Sequence, residues 1–193
     1  MDEQIEKAAK VLRQGGIVIF PTDTAYGIGC RMDDEVAIKK LFAIRNRPEN
    51  QATPVLFNDL ELIKNYVTEI AKDVKEKLID RYWPGALTII LSCKIDKVPR
   101  LVRGESGNLG VRIPNNQTAL SIIEKVGVGV LGPSANFHGG KTPFRFEELD
   151  PKLVNLVDYV VRGECRLKQT STVIDVSQKP WKILRQGAVK INL

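Results

Sequence analysis

Histidine occurs once in this chain of 193 residues, at His138, and cysteine three times, at Cys30, Cys93 and Cys165. The cysteines are far apart and none belongs to a CxxC pair, which argues against a disulfide framework and against a zinc site. His138 is a poor partner for a catalytic thiol, so the three cysteines read as small buried groups. The patterns GxxxxGK[ST], HExxH and GxSxG are all missing. A nucleotide, if one binds, is held by scattered hydroxyls and arginines rather than by a standard phosphate loop. No apolar run approaches the roughly 20 residues that span a bilayer. The start, Met-Asp-Glu-Gln-Ile-Glu-Lys, is polar and unlike a secretion signal. The chain is therefore expected in the cytoplasm, away from membranes, and no residue is assigned to a metal.

What is present begins with charge. The net charge is +6, which suits an anionic partner such as a nucleotide or RNA but is modest for this length. No repeat, low-complexity tract or composition break divides the sequence, so residues 1–193 are expected to form one α/β domain, a twisted mixed sheet with helices packed on it.

The chain is organised around Ile17 to Cys30. Ile17 to Phe20 read as a short buried strand, three of its four residues being β-branched. Pro21 is expected to stop that strand. A polar, glycine-containing turn follows, with Thr22, Asp23, Thr24, Tyr26, Gly27 and Gly29. Open α/β sheets bind ligands where strands empty into such turns. An ordinary turn with no ligand is the alternative.

Either side of it the periodicity is regular. Ile5, Ala8, Ala9 and Leu12 have helical spacing within residues 2–14, ended by Gly15-Gly16. Asp33 and Asp34 can cap a second helix that runs into Arg45-Asn46-Arg47-Pro48. Strands are expected at 54–57, 86–93, 109–113, 128–131, 159–161, 172–176 and 181–184. Helices are expected after Asn58-Asp59, over 70–82, over 117–126, and briefly before 159. Residues 94–108 and 137–145 read as loops. Arg112 stands apart from the other arginines, because it lies inside the apolar strand Leu-Gly-Val-Arg-Ile. A charge there must meet an acid or face a ligand cleft.

Seven short blocks together resemble the YrdC/TsaC family. They are Pro21-Thr-Asp-Thr-Ala-Tyr-Gly-Ile-Gly29, Arg45-Asn-Arg-Pro48, Trp83-Pro-Gly-Ala-Leu-Thr88, Val111-Arg-Ile-Pro114, Pro133-Ser-Ala-Asn136, Ser171-Thr-Val-Ile-Asp175 and Ile183-Leu-Arg-Gln-Gly187. They occur in the family's order and at sensible spacings, and the resemblance covers residues 5–189. The resemblance implies an α/β fold with a basic concave ligand cleft. It implies a threonylcarbamoyl-AMP synthase, a nucleotidyltransferase that joins L-threonine, bicarbonate or CO2 and ATP, with Mg2+ accompanying ATP, and releases pyrophosphate. Transfer proteins would then pass the threonylcarbamoyl group to adenosine 37 of tRNA. Tightly bound cofactors are not implied.

Carried over residue by residue, the resemblance gives L-threonine to Thr24, Asn58, Arg112 and Ser171. It gives ATP to Arg47, Asn108, Ser134, Asn136, Thr142 and Arg185. Arg45, Arg47 and Arg185 together would stabilise the reacting phosphorus. Arg45 stands where most members have lysine, which keeps the charge and changes its shape. Residues 49–53 lack the family's usual spacing, and an extra C-terminal domain is not expected. Trp83-Pro84-Gly85 reads as a helix stop and core anchor, and Tyr26 as a ring packed under its loop. Asp23 either caps a turn or helps to hold Mg2+. Two rivals remain. One is an RNA-binding module, for tRNA or double-stranded RNA, without synthase activity. The other is a carbamoyl phosphate enzyme like the hydrogenase-maturation carbamoyltransferases, whose accompanying segments this sequence lacks.

Overall fold

A computed structural model of the chain describes residues 2–191. Helix α1 (Asp2–Arg13) buries Ile5, Ala8, Ala9 and Leu12, the stripe its spacing predicts. Gly15, at φ +78°, turns the chain out of it. Strand β1 (Val18–Pro21) follows and pairs antiparallel with β2 (Tyr26–Gly29). Two expectations change here. Pro21 does not stop the strand but ends it from inside, opposite Tyr26. Residues 26–29 are a strand rather than a turn, and the turn is confined to residues 22–25.

The glycine signal had a different cause. A Cβ on Gly29 would stand 2.0 Å from the Leu131 carbonyl oxygen, so this glycine admits a neighbouring backbone and not a special dihedral.

Helix α2 (Glu35–Ile44) is capped by Asp34, whose carboxylate accepts from the Val36 and Ala37 amides. Strand β3 (Val55–Leu56) and helix α3 (Leu60–Lys64), capped by Asp59, come next. The helix expected over 70–82 runs unbroken over 72–82, with a π-helical turn (Lys75–Ile79) between α4 (Lys72–Val74) and α5 (Asp80–Tyr82). Strand β4 (Leu87–Ser92) precedes a segment that is not wholly loop, since α6 (Arg100–Arg103) lies within it. Strand β5 (Asn108–Arg112), helix α7 (Gln117–Val126) and strand β6 (Val130–Leu131) follow. Asn116 caps α7 at its start and Gly127, at φ +77°, ends it. Helix α8 (Pro151–Val154) leads to the short strands β7 (Tyr159–Val160), β8 (Thr172–Asp175) and β9 (Lys182–Arg185).

The strands form two mixed sheets, β2-β1-β7 and β6-β3-β5-β4-β8-β9. Gly27 bridges Ser134 and Arg31 bridges Val130, which fastens the small sheet to the end of the large one. One apolar cluster lies against the large sheet, and a second joins α1 and α7 to β1. No helix among the described residues is long and apolar enough to cross a membrane.

Candidate functional site

Strand register assembles the site. Leu56 pairs with Arg112, Ile89 with Val111, Thr88 with Val173, and Val173 with Arg185. Leu56, Arg112, Thr88 and Arg185 therefore lie in one row across the large sheet, and paired residues present their side chains on the same face. The 22–25 turn, the end of α2 and the residues after β6 close over this row. They enclose a cleft of about 220 Å³. Eight of the residues singled out above line it, namely Thr24, Arg45, Arg47, Arg112, Ser134, Thr142, Ser171 and Arg185.

The turn is built by Thr22. Its hydroxyl donates to the Ala25 carbonyl at 2.7 Å and accepts from the Thr24 and Ala25 amides at 3.2 and 3.3 Å. This local bonding aims Thr24 at Arg112, whose Nη1 donates to the Thr24 hydroxyl at 2.9 Å. Arg112 also donates from Nε to the Gly85 carbonyl at 2.9 Å and from Nη2 to Asp23. The strand arginine thus meets both an acid and the cleft. Asp23 is 1 % exposed, and its Oδ2 has no hydrogen-bond partner among the described residues.

Arg45 is 3 % exposed. Its Nε donates to the Asn136 carbonyl at 2.9 Å, while its Nη1 is buried without a partner among the described residues. No carboxylate pairs with it among the described residues. Burial, with a smaller push from Arg47, pulls its guanidinium down to about 10. Burial also lowers Arg47 and Arg185 from the ordinary arginine range, and it lowers Arg112 against the pull of Asp23. Four arginines line the cleft, and of these only Arg112 is paired with an acid among the described residues, so an anion entering it meets three arginines whose charge no carboxylate offsets.

Ser171 links two neighbours. Its hydroxyl lies 2.9 Å from that of Thr88 and accepts from Arg185 Nη2 at 3.0 Å, while Arg185 Nε donates to the Ser171 carbonyl. Arg47 donates to the Gln51 and Ala52 carbonyls of its own loop.

Three named residues stand elsewhere. Asn108 opens β5 and Arg112 closes it, so four extended residues separate them by about 13 Å. The Asn108 amide donates to Ser177 at 3.2 Å. Asn58 lies beyond the end of β3, in a groove with Asp59, Glu61 and Glu124, and donates to Asp59. Asn136 is not in the cleft lining. Its amide donates to the Phe137 and Gly140 carbonyls, and its own carbonyl positions Arg45. Thr22, named in the polar turn, lines the cleft as well, and Thr88 and Leu56 line it without having been singled out. Thr88 closes the Trp-Pro-Gly-Ala-Leu-Thr block, and that block was the available signal for it. Tyr26 also borders the cleft, while its hydroxyl donates to the Gly163 carbonyl at 2.5 Å and accepts from the Gly163 amide at 3.0 Å.

Comparison with known proteins gives a consistent result. The Sua5/YciO/YrdC family model, described as "Telomere recombination", matches residues 10–187. A threonylcarbamoyl-AMP synthase of Pyrococcus abyssi is 33% identical over 190 residues, covering 98% of this chain and 55% of the relative. The crystal structure of P. abyssi Sua5 complexed with L-threonine superposes with a TM-score of 0.89 at 32% identity, covering 97% of this chain and 55% of that one. The crystal structure of Escherichia coli YciO superposes with a TM-score of 0.86 at 26% identity, covering 97% and 90%. The chain spans about half the length of the first curated relatives it matches. With the family's blocks folded into one arginine-lined cleft and its model matching nearly end to end, this chain belongs to the Sua5/YciO/YrdC family.

Proposed function

We propose that the cleft catalyses formation of threonylcarbamoyl-AMP from L-threonine, bicarbonate or CO2, and ATP. The observation that carries this reading is Arg45, a buried cation with an unpartnered donor, no acid, and three further arginines around it. Relatives named as threonylcarbamoyl-AMP synthases, and one solved with L-threonine bound, support the choice of substrate.

In this reading the free donors of Arg112, steadied by Asp23, take the threonine carboxylate, with Thr24 and Ser171 beside it. The amine nitrogen bonds to the carbon of CO2 and loses a proton, leaving an N-carboxylate. An oxygen of that group attacks the α-phosphorus, the bond to the bridging oxygen breaks, and pyrophosphate leaves. No enzyme nucleophile takes part. Arg45, Arg47 and Arg185 neutralise the phosphates and the crowded phosphorus, and Ser134 and Thr142 hold the nucleotide. The lining offers hydroxyls and no carboxylate, and no cluster of three or more acids, thiols or imidazoles exists among the described residues. These residues fit a Mg2+ ion that arrives on the ATP phosphates and neutralises part of their charge, rather than one held in a carboxylate cage. The product would pass to transfer proteins and tRNA in the cytoplasm.

The test is incorporation of labelled bicarbonate into a nucleotide-linked product by purified protein with ATP, Mg2+ and L-threonine. Threonine-dependent product appearing with pyrophosphate is expected. ATP binding without product would overturn the reading and favour an RNA-binding or divergent-substrate role.

A further inference from the structure

A second hollow, of about 450 Å³, lies between the α4–α5 stretch and the loop that enters β9. Leu78 is buried in its floor, and Tyr82, Pro180, Trp181 and Ile191 wall it. Its size falls within the range of sites that enclose a bulky group. Its rim is cationic. Lys77 Nζ lies 6.0 Å and Lys179 Nζ 5.9 Å from the Trp181 ring centroid. Lys179 is also paired with Asp73 at 2.7 Å. Lys77 and Arg81, four residues apart and both exposed, have no ion pair among the described residues. Asp73, one turn before Lys77, lies on this rim too, and against Lys77, Arg81 and Lys179 it leaves an excess of two positive charges (three cations less one acid) for an anionic partner.

A different feature of the fold adjoins this hollow. Strand β9 begins at the residue after Trp181 and is the outermost strand of the large sheet. Its far side has no partner strand among the described residues, and Leu184 on it is 58% exposed. An edge strand presents unpaired amides and carbonyls, which is how extended peptides add to a sheet.

We propose that the free edge of β9 and the Trp181 hollow form one docking surface for an extended acidic segment of a partner protein. Its backbone pairs with β9, one bulky apolar side chain fills the hollow, and its carboxylates meet Lys77 and Arg81. The apolar walls and the open strand edge together fit a peptide better than a nucleic acid, which needs an exposed stacking face and has no ladder to offer. Strand β9 also carries Arg185 of the cleft, but the test does not depend on the synthase reading, because neither Lys77 nor Arg81 lines the cleft.

The experiment selects random seven-residue peptides displayed on phage against the whole protein and measures those enriched, by fluorescence anisotropy, on wild type and on Lys77→Glu/Arg81→Glu. Both side chains are exposed, so the variant keeps its fold and its basal activity. Enriched peptides are expected to carry acids around one bulky apolar residue and to bind the variant about tenfold or more weakly. They are also expected to slow hydrogen exchange of the β9 amides. Trp181→Ser, checked for an unchanged melting transition, is expected to abolish binding. No enrichment, equal binding to wild type and the charge-reversed variant, or unchanged β9 exchange would each overturn the proposal. Displacement of the peptides by a 12-nucleotide single-stranded RNA that protects the same amides would also overturn it, and would assign the surface to nucleic acid.

Discussion

Arg45, in the cleft, is 3 % exposed and fixed to the Asn136 carbonyl. Lys179, on the rim of the Trp181 hollow, has a side chain 74% exposed and leans on Asp73. Both regions are cationic, yet they hold charge under opposite conditions. In the cleft Arg45 and Arg112 are buried and all four arginines are oriented by backbone carbonyls, so their geometry is set before a ligand arrives. At the hollow they are solvated and free to move, so they can attract a partner but not fix it. The first arrangement suits chemistry, where a misplaced charge stabilises nothing. The second suits association, where charge acts mainly on encounter.

The largest effect should come from the one cleft arginine that has an acid. Asp23→Ala leaves Arg112 buried and alone, which costs about 3–5 kcal/mol. The melting temperature should fall by roughly 10 °C or more in a chain of this size. The double variant Asp23→Ala/Arg112→Met should lose less than the sum of the two single losses, as measured by denaturant unfolding. Additive losses would mean that the pair is not a unit.

Arg45 should behave in the opposite way. It has no acid to abandon, so Arg45→Met should leave stability unchanged or raise it by about 1 kcal/mol. Adenylate formation should fall by about 100-fold or more. A variant that is as stable as wild type and inactive would show that this charge exists for the ligand. Because burial sets Arg45 at about 10, it stays charged through neutrality. Nucleotide affinity should therefore be level from about pH 7.5 to 9 and weaken as the pH rises through 10. Over that same rise this group's contribution to stability should increase, since its folded value lies below its unfolded one.

Thr88 tests the cleft more finely. Thr88→Val removes the hydroxyl beside Ser171 while leaving the β4 row intact. The KM for L-threonine should rise about tenfold, the worth of one hydrogen bond, with the KM for ATP little changed. Equal changes in both would place Thr88 away from the amino acid.

The cleft was partly legible in the sequence, and the reasons divide by residue. Arg112 declared itself, because a charge inside an apolar strand must have a partner. Asp34, Asn116 and Gly127 cap helices as their types predict. Tyr26 to Gly29 was misread because glycine signals a turn, whereas Gly29 is there to admit the Leu131 carbonyl from another sheet, a contact that no local pattern encodes. Asn108 and Asn58 fell outside for a related reason. The resemblance supplied both, and a short block does not show which end of a strand meets the cleft, since register decides that. Register also placed Thr88 beside Arg112, across an antiparallel pair that separates them by more than twenty residues of chain.

The smallest effect is expected at the hollow. Lys179→Ala removes the partner of Asp73, whose carboxyl is held below its ordinary value chiefly by its hydrogen bond to that lysine. Asp73 should therefore titrate nearer the ordinary aspartate value in the variant, readable by its side-chain carboxyl NMR shift. Stability should nevertheless hardly change, because the pair lies at the surface and gains little from folding. Raising salt should shrink even that difference, since screening acts first on exposed charge. A loss of several kcal/mol would mean that Lys179 braces Trp181 against the sheet through its aliphatic stem, and the hollow would then be as rigidly built as the cleft.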